Sequence, residues 1–417
     1  MHLKTKLAID RLVGTFLIWI ALAAHRRTHG AQPDYIKPDQ FVILKFLGLG
    51  SIVQASPLIA ALKNRYPDAR VIFLTKRGND ELARRIPLVD TTMTVDDASI
   101  RALVGSLWRT MREVRALKNT CFINLEAYSK LGVLVAVLSG ASWKAGFFRN
   151  PADLKLARVF DFLVYFNPGA PISQVYLQLG RAVGASEFSP SLARLAVSSA
   201  DEAEAEALLD SPHTRGALII LINPNASELR LERRWPASRF AQLISKLLQL
   251  VPNCQVLLIG TAAEAAYTET VQKGILPQHL GRVRNVAGAL SLGGLIALIG
   301  RARLMITNDS GPMHIAFSLG TPTVSMFGPV EPNHYSFEGT DSRHAILYHR
   351  IYCSPCVHHF DTAPCRGDNV CMKMITHTDV LNAALGILRS EPIPQEKSVS
   401  IVYTRSGRPF GVLSRGA

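Results

Sequence analysis

Residues 303–327 read RLMITNDSGPMHIAFSLGTPTVSMF. RLMITN (303–308) is a compact apolar run of strand length, closed by the turn residues Asn308, Asp309, Ser310, Gly311 and Pro312. Pro312 to Leu319 then has helical period, Gly320 ends it, Pro322 prevents its continuation, and TVSMF (323–327) returns to strand. Strand, turn, helix and strand in one continuous piece predict a parallel βαβ unit. Asp309 or Ser310 is placed to cap the helix, Pro312 suits its first turn, and Gly311 lets a ligand approach the backbone. Free N–H groups at that helix start would face an anion such as a pyrophosphate. The plainer alternative is an ordinary strand–cap–helix turn.

The same alternation extends upstream. ALIILIN (217–223) and QVLLIG (255–260) read as strands; Ala237 to Leu250, Glu264 to Lys273 and Ser291 to Ala302 read as helices. Earlier still, FVILKFL (41–47), RVIFLT (70–75) and CFINLE (121–126) are strand-like, separated by helical periods over 57–66 and 100–117 and followed by one over 128–138. Ser186 to Ala205 has no strand signal and ends in an Ala/Glu-rich helix, so the domain junction falls there. The expectation is an α/β chain with two Rossmann-like domains facing across a cleft, residues 38–195 and 196–390, and a polar flexible tail over 391–417.

Composition narrows the classes. Lys and Arg number 46 against 32 Asp and Glu, a net charge of +14, and 48% of residues are hydrophobic, so wholesale disorder is excluded. The basic residues are spread out, with no long basic run and no interleaved aromatics, which argues against nucleic acid and for phosphate groups or an anionic membrane surface. LVGTFLIWIALAA (12–24) lacks charge and is flanked by Lys4, Lys6 and Arg11 on one side and by Arg26 and Arg27 on the other. It is short for a span, which needs about 20 apolar residues. Residues 1–30 are therefore read as an amphipathic membrane-associating helix; a short span, a signal peptide and a helix packed on the protein are the alternatives.

Further segments carry chemistry. Asn223 to Ser227 (NPNAS) and Glu232 to Pro236 (ERRWP) follow a strand end. Ser227 and the loop amides suit phosphate oxygens, and Arg233 or Arg234 would neutralise them; Trp235 reads as a packing anchor. Gly48-Leu49-Gly50-Ser51 follows the first strand without a Walker lysine. Glu126 closes the strand CFINLE and faces the same cleft, as a solvated loop residue or a base. No D-x-D occurs, which favours phosphate neutralisation by arginine and a helix dipole over a metal. Cys353, Cys356, Cys365 and Cys371 have spacing that permits a zinc site, with His358, His359 and Asp361 nearby; reduced thiols used for packing and a disulfide pair are the other readings. Cys121 and Cys254 sit on apolar strands as core residues.

Taken together, DSGPMHIAFSLGTPTVSMFGP (309–329), NPNAS…RRWP, GSIVQASPLIAALKNRYPDA (50–69) and IDRLVG (9–14) resemble glycosyltransferase family 9, the heptosyltransferase-like enzymes of lipopolysaccharide core assembly. The resemblance runs from about residue 40 to 385. It implies a GT-B fold and metal-independent, inverting sugar transfer without a cofactor. The implied donor is a nucleotide sugar, typically ADP-heptose, and the acceptor a lipid-linked saccharide at the cytoplasmic face of the inner membrane. By position, Asp309, Ser310, Gly311 and His314 would hold the donor's phosphates and sugar, Ser227 and Arg233 its phosphates, and Glu264 its nucleoside. Two departures stand out. Ser51 occupies the place where many members carry the Asp that serves as general base, which moves the expected base to Glu126. Asn225 replaces a glycine and adds an amide near the donor. The rival readings are a nucleotide-sugar epimerase on the same scaffold and, given Ser51, a non-catalytic nucleotide-binding protein.

Overall fold

The computed structural model describes residues 36–186, 189, 191–210, 214–227, 230–335, 343–357, 360, 363–389 and 400–403. The amphipathic helix expected over residues 1–30 lies outside them. Contacts divide the chain between Arg194 and Leu195 into two compact units.

In the first unit six parallel strands form one sheet: β1 (Gln40–Leu44), β2 (Arg70–Lys76), β3 (Thr91–Val95), β4 (Thr120–Asn124), β5 (Trp143–Phe148) and β6 (Phe162–Tyr165). Their order is β3-β2-β1-β4-β5-β6, with Phe41 of β1 beside both Val71 and Cys121. The central strands are buried along almost their whole length, because helices cover both faces of a parallel sheet. Apolar residues of β1, β2 and β4 pack with Met111, Val114, Val133, Val135 and Ala136 from helices Ile100–Ala116 and Lys130–Leu138.

The second unit repeats the scheme with β7 (Leu218–Asn223), β8 (Cys254–Leu258), β9 (Val283–Asn285), β10 (Leu304–Asn308), β11 (Thr323–Phe327), β12 (His344–Tyr348) and β13 (Ser400–Tyr403). The order is β13-β12-β11-β10-β7-β8-β9, again all parallel. Of the tail expected over 391–417, the four residues of β13 form a strand on β12, and the rest lies outside the described residues. The helices Ala237–Leu250 and His377–Arg389 complete the core of this unit.

In each unit the strand order reverses once, at β1/β4 and at β7/β10. A crevice opens beyond the carboxyl ends of strands at such a point, where neighbouring connections leave in opposite directions. The loops after β1 and β4 carry Lys45 to Ser51 and Glu126; those after β7 and β10 carry Asn223 to Ser227 and Asp309 to His314. The fold thus delivers the residues singled out in the sequence to two equivalent switch points.

Candidate functional site

The helix Gly311–Leu319 begins directly after β10, with Pro312 in its first turn, and ends at Gly320 in the left-handed conformation (φ +72°) that glycine adopts without steric cost. Its Ser310 cap departs from the expected behaviour. Ser310 is extended but makes no capping bond with its side chain. Instead Asn223 Nδ2, at the end of β7, donates to Ser310 Oγ at 2.9 Å, and Thr307 Oγ1 lies 3.1 Å from the same oxygen. The hydroxyl that would cap the helix is drawn towards the sheet, so it does not occupy the helix's first-turn N–H groups. A helix start of this kind attracts anions.

Arginine reaches this point through a buried tryptophan. Trp235 is fully buried, edge-on to Phe240 with ring centroids 4.8 Å apart. Its indole N–H donates to the Ile375 carbonyl at 2.9 Å and its backbone N–H to Asn308 Oδ1 at 3.1 Å. Asn308 in turn donates to the Pro224 and Asn225 carbonyls, tying the loop after β7 to β10. The packing role read for Trp235 is therefore what the structure shows, and it fixes the two arginines that precede it. Arg234 lies over the Tyr267 ring at 4.1 Å, and Arg233 over the Tyr335 ring at 5.7 Å.

Arg233 Nη1 stands 3.1 Å from Asp309 Oδ2. The contact is ionic without the geometry of a directed bond, because Asp309 Oδ2 has no hydrogen-bond partner. Burial pushes the Asp309 carboxyl up, and Arg233 pulls it back. Arg233 Nε and Arg234 Nε are buried without hydrogen-bond partners as well. Native proteins rarely leave such atoms unmet, so this group marks a place for polar ligand atoms.

His314 is buried one turn further on, its ring 5.7 Å from that of Tyr335. Burial, then Arg233 and the neighbouring His334, pull its pKa from 6.5 to about 3. It is a neutral imidazole at ordinary pH and contributes hydrogen-bonding capacity rather than charge. Ser227 is exposed at the loop tip. Glu264 follows β8, where its Oε2 accepts from the Thr261 backbone N–H at 2.8 Å and hydroxyl at 2.9 Å in a capping box.

The Asn225 Nδ2 group turns into the floor of the loop, donating to the Ile259 carbonyl at 3.0 Å, while its Oδ1 is buried without a hydrogen-bond partner. Gly260 makes room for it: a Cβ there would lie 2.5 Å from Asn225 Nδ2.

The loops of the first unit are arranged otherwise. β4 stops at Asn124, and Glu126 is buried instead of facing outward. Its Oε1 accepts from the backbone N–H groups of Phe46 at 2.6 Å and Leu47 at 2.8 Å; its Oε2 accepts from Lys45 Nζ at 3.1 Å. Ser51 sits in the short helix Leu49–Val53 that this braced loop leads into.

The clustered thiols are close together but hold no metal geometry. Cys353, Cys356, Cys365 and Cys371 line one small pocket with Glu232 and Pro329, and burial pushes the Cys371 thiol up to about 12. All are free, and among the described residues no three His, Cys, Asp or Glu side chains form a metal-holding group. His358, His359 and Asp361 lie outside the described residues.

Sequence reading missed Thr307, Tyr267 and Tyr335, and gave Asn223 and Asn308 no role of their own within the stretches that contain them. The usable signal was polar residues closing otherwise apolar strands, since a buried Asn at a strand end needs partners.

Comparison with known proteins gives the family and the fold. The model of glycosyltransferase family 9 (heptosyltransferase) matches residues 107–366. Lipopolysaccharide heptosyltransferase 2 of Escherichia coli (strain K12) is 32% identical over 101 residues, which are 24% of this chain and 28% of that protein's length. The lipopolysaccharide core heptosyltransferase OpsX of Haemophilus influenzae is 24% identical over 71% of this chain and 80% of its own. The solved structure of the ADP-heptose lipopolysaccharide heptosyltransferase II of E. coli superposes with a TM-score of 0.65, at 20% identity, over 84% of this chain and 98% of that one. The two doubly wound parallel sheets and this likeness give the GT-B type of α/β fold.

Proposed function

The chain belongs to glycosyltransferase family 9, and from that premise we propose that it moves a heptose from ADP-heptose onto a lipopolysaccharide core or similar lipid-linked acceptor. The relatives are named as heptosyltransferases of that core, and the E. coli structure as one that uses ADP-heptose. The observation that carries the reading is the group of unmet polar atoms on Arg233, Arg234 and Asp309 beside the helix start at Gly311.

In this reading the acceptor hydroxyl oxygen bonds to the anomeric carbon as the bond from that carbon to the diphosphate oxygen breaks, with inversion, and the hydroxyl proton is released to solvent water. The departing ADP takes the electron pair. Arg233 and the first-turn amides of Gly311–Leu319 stabilise its growing charge. Asp309 holds Arg233 in place, neutral His314 donates or accepts a hydrogen bond from the sugar or phosphate, and Ser227 and Glu264 contact phosphate and nucleoside. Arg233 and the helix dipole supply the positive charge that a metal would otherwise give, so transfer is expected to survive a chelator.

Glu126 enters as a positioning residue. With both oxygens already accepting, it is better placed to brace Lys45, Phe46 and Leu47, and through them Ser51, than to collect a proton. Family membership favours transfer over the epimerase reading. The working place is the cytoplasmic face of the inner membrane, at the surface, and among the described residues no helix is long and apolar enough to cross a membrane.

Thermal-shift screening against ADP, GDP, UDP and dTDP, followed by transfer from ADP-heptose to a core acceptor, tests the reading. Stabilisation by ADP and acceptor-dependent release of ADP are expected. ADP release without acceptor would revive the epimerase, and binding without any turnover the non-catalytic protein.

A further inference from the structure

The helix Ile100–Ala116 turns Ser106, Thr110, Met111 and Val114 inward onto the first sheet. Its outer face is unusual. Ile100 is 53% exposed, Val104 61% and Trp108 61%, at positions i, i+4 and i+8, which form one stripe along the helix. Arg101, Arg109 and Arg112 are also exposed on this helix, and the Arg112 guanidinium lies 5.0 Å from the centre of the Trp108 ring. Counted over the whole helix, the four arginines (101, 109, 112, 115) and the one acid, Glu113, give 4 − 1 = +3. The two aspartates just before it are already engaged, Asp96 with Arg77 and Asp97 with Lys76.

We propose that this stripe is a membrane-docking surface: the outer face of helix Ile100–Ala116 lies in the headgroup layer of an anionic phospholipid bilayer, with Ile100, Val104 and Trp108 inserted and Arg101, Arg109 and Arg112 on lipid phosphates. Charge complementarity selects the occupant. A helix with apolar and aromatic residues beside arginines matches the boundary between acyl chains and phosphates. Tryptophan favours that depth because its ring is apolar and its N–H polar. The net charge of +14 adds long-range attraction to such a surface.

The test is co-sedimentation of the full chain with vesicles of phosphatidylglycerol mixed with phosphatidylcholine, against phosphatidylcholine alone, with no nucleotide sugar present. Its failure therefore leaves the transfer reading standing, and the reverse also holds. The wild type should bind the anionic vesicles. Val104→Ser with Trp108→Ser should weaken partitioning by about tenfold or more, since large apolar side chains no longer leave water. Arg101→Gln, Arg109→Gln and Arg112→Gln together should weaken binding to anionic vesicles and flatten its salt dependence. Both sets alter exposed positions, and unchanged circular dichroism confirms the fold. As a check independent of variant folding, doxyl-labelled lipid should quench wild-type tryptophan emission more than that of Trp108→Phe. Because residues 12–24 are a second candidate contact, Trp19→Ser is run alongside and should add to the loss. Unchanged partitioning of both helix variants, equal quenching with and without Trp108, or a stable dimer in solution that Val104→Ser dissociates would overturn the proposal.

Discussion

The two switch points share a topology and differ in how much hydrogen-bonding capacity they leave unused. Beyond β1 and β4, Glu126 accepts from Lys45 and from two backbone N–H groups, and the loop to Ser51 is held from within. Beyond β7 and β10, Asn223 draws the Ser310 hydroxyl away from the helix start, and Arg233, Arg234 and Asp309 each keep a buried atom without a hydrogen bond. A loop that satisfies itself is scaffold. One that leaves charge-bearing atoms unmet is arranged for something that arrives. The contrast is what supports the proposal that phosphate binds in the second unit.

The sharpest way to break this contrast is Arg233→Ala. Loss of one preorganised donor to a departing oxyanion costs roughly a hundredfold to a thousandfold in turnover. Steady-state kinetics should show that drop while Arg233→Lys retains part of the rate; a wild-type rate in Arg233→Ala would erase the difference between the two loops. Next in size is Glu126→Ala, which leaves Lys45 buried without its carboxylate and two N–H groups without their acceptor. Denaturant unfolding should report a loss of about 3 kcal/mol, while ADP affinity stays within about twofold because, on the proposed reading, the second unit alone holds ADP. A large loss of ADP affinity would show that the first-unit loop also binds nucleotide.

How far these loops could be read in advance depends on distance along the chain. The central strands β1, β2, β4, β7, β8, β10 and β11 were legible because a strand covered on both faces is apolar throughout. The strands β3, β5, β6, β9 and β12 were not; in β3 and β9 partial exposure admits polar residues, as in TTMTV and VRN. Sequence placed Asp309 and Gly311 just past a strand end and Arg233 in the connection after β7, but misjudged the burial of Glu126 and the capping by Ser310. Their partners, Lys45 and Asn223, lie 81 and 87 residues away, and no local pattern reports them. The same holds for Asn225, whose floor position depends on Gly260.

That dependence gives a smaller test. Gly260→Ala should push Asn225 off the Ile259 carbonyl and loosen the loop after β7, weakening ADP binding by about tenfold on the cost of a displaced buried amide; calorimetry reads it, and the equivalent crowding at a first-unit loop should leave ADP affinity alone. A further test is the effect of acid. His314 is held neutral in the fold with its pKa lowered from 6.5 to about 3, so the unfolded chain takes up its proton first. The stability it lends is fully present above pH 6.5 and is lost as pH falls from there towards 3. His314→Gln should flatten the fall in unfolding free energy across that window, and an unchanged slope would mean His314 is not held neutral.

The most direct measurement is amide hydrogen exchange with and without ADP. Protection should appear at Gly311, Met313 and His314 and at Asn225 to Ser227, with residues 45–51 and 126 unaffected. Protection confined to residues 45–51, with the start of the helix Gly311–Leu319 exchanging as before, would contradict the account.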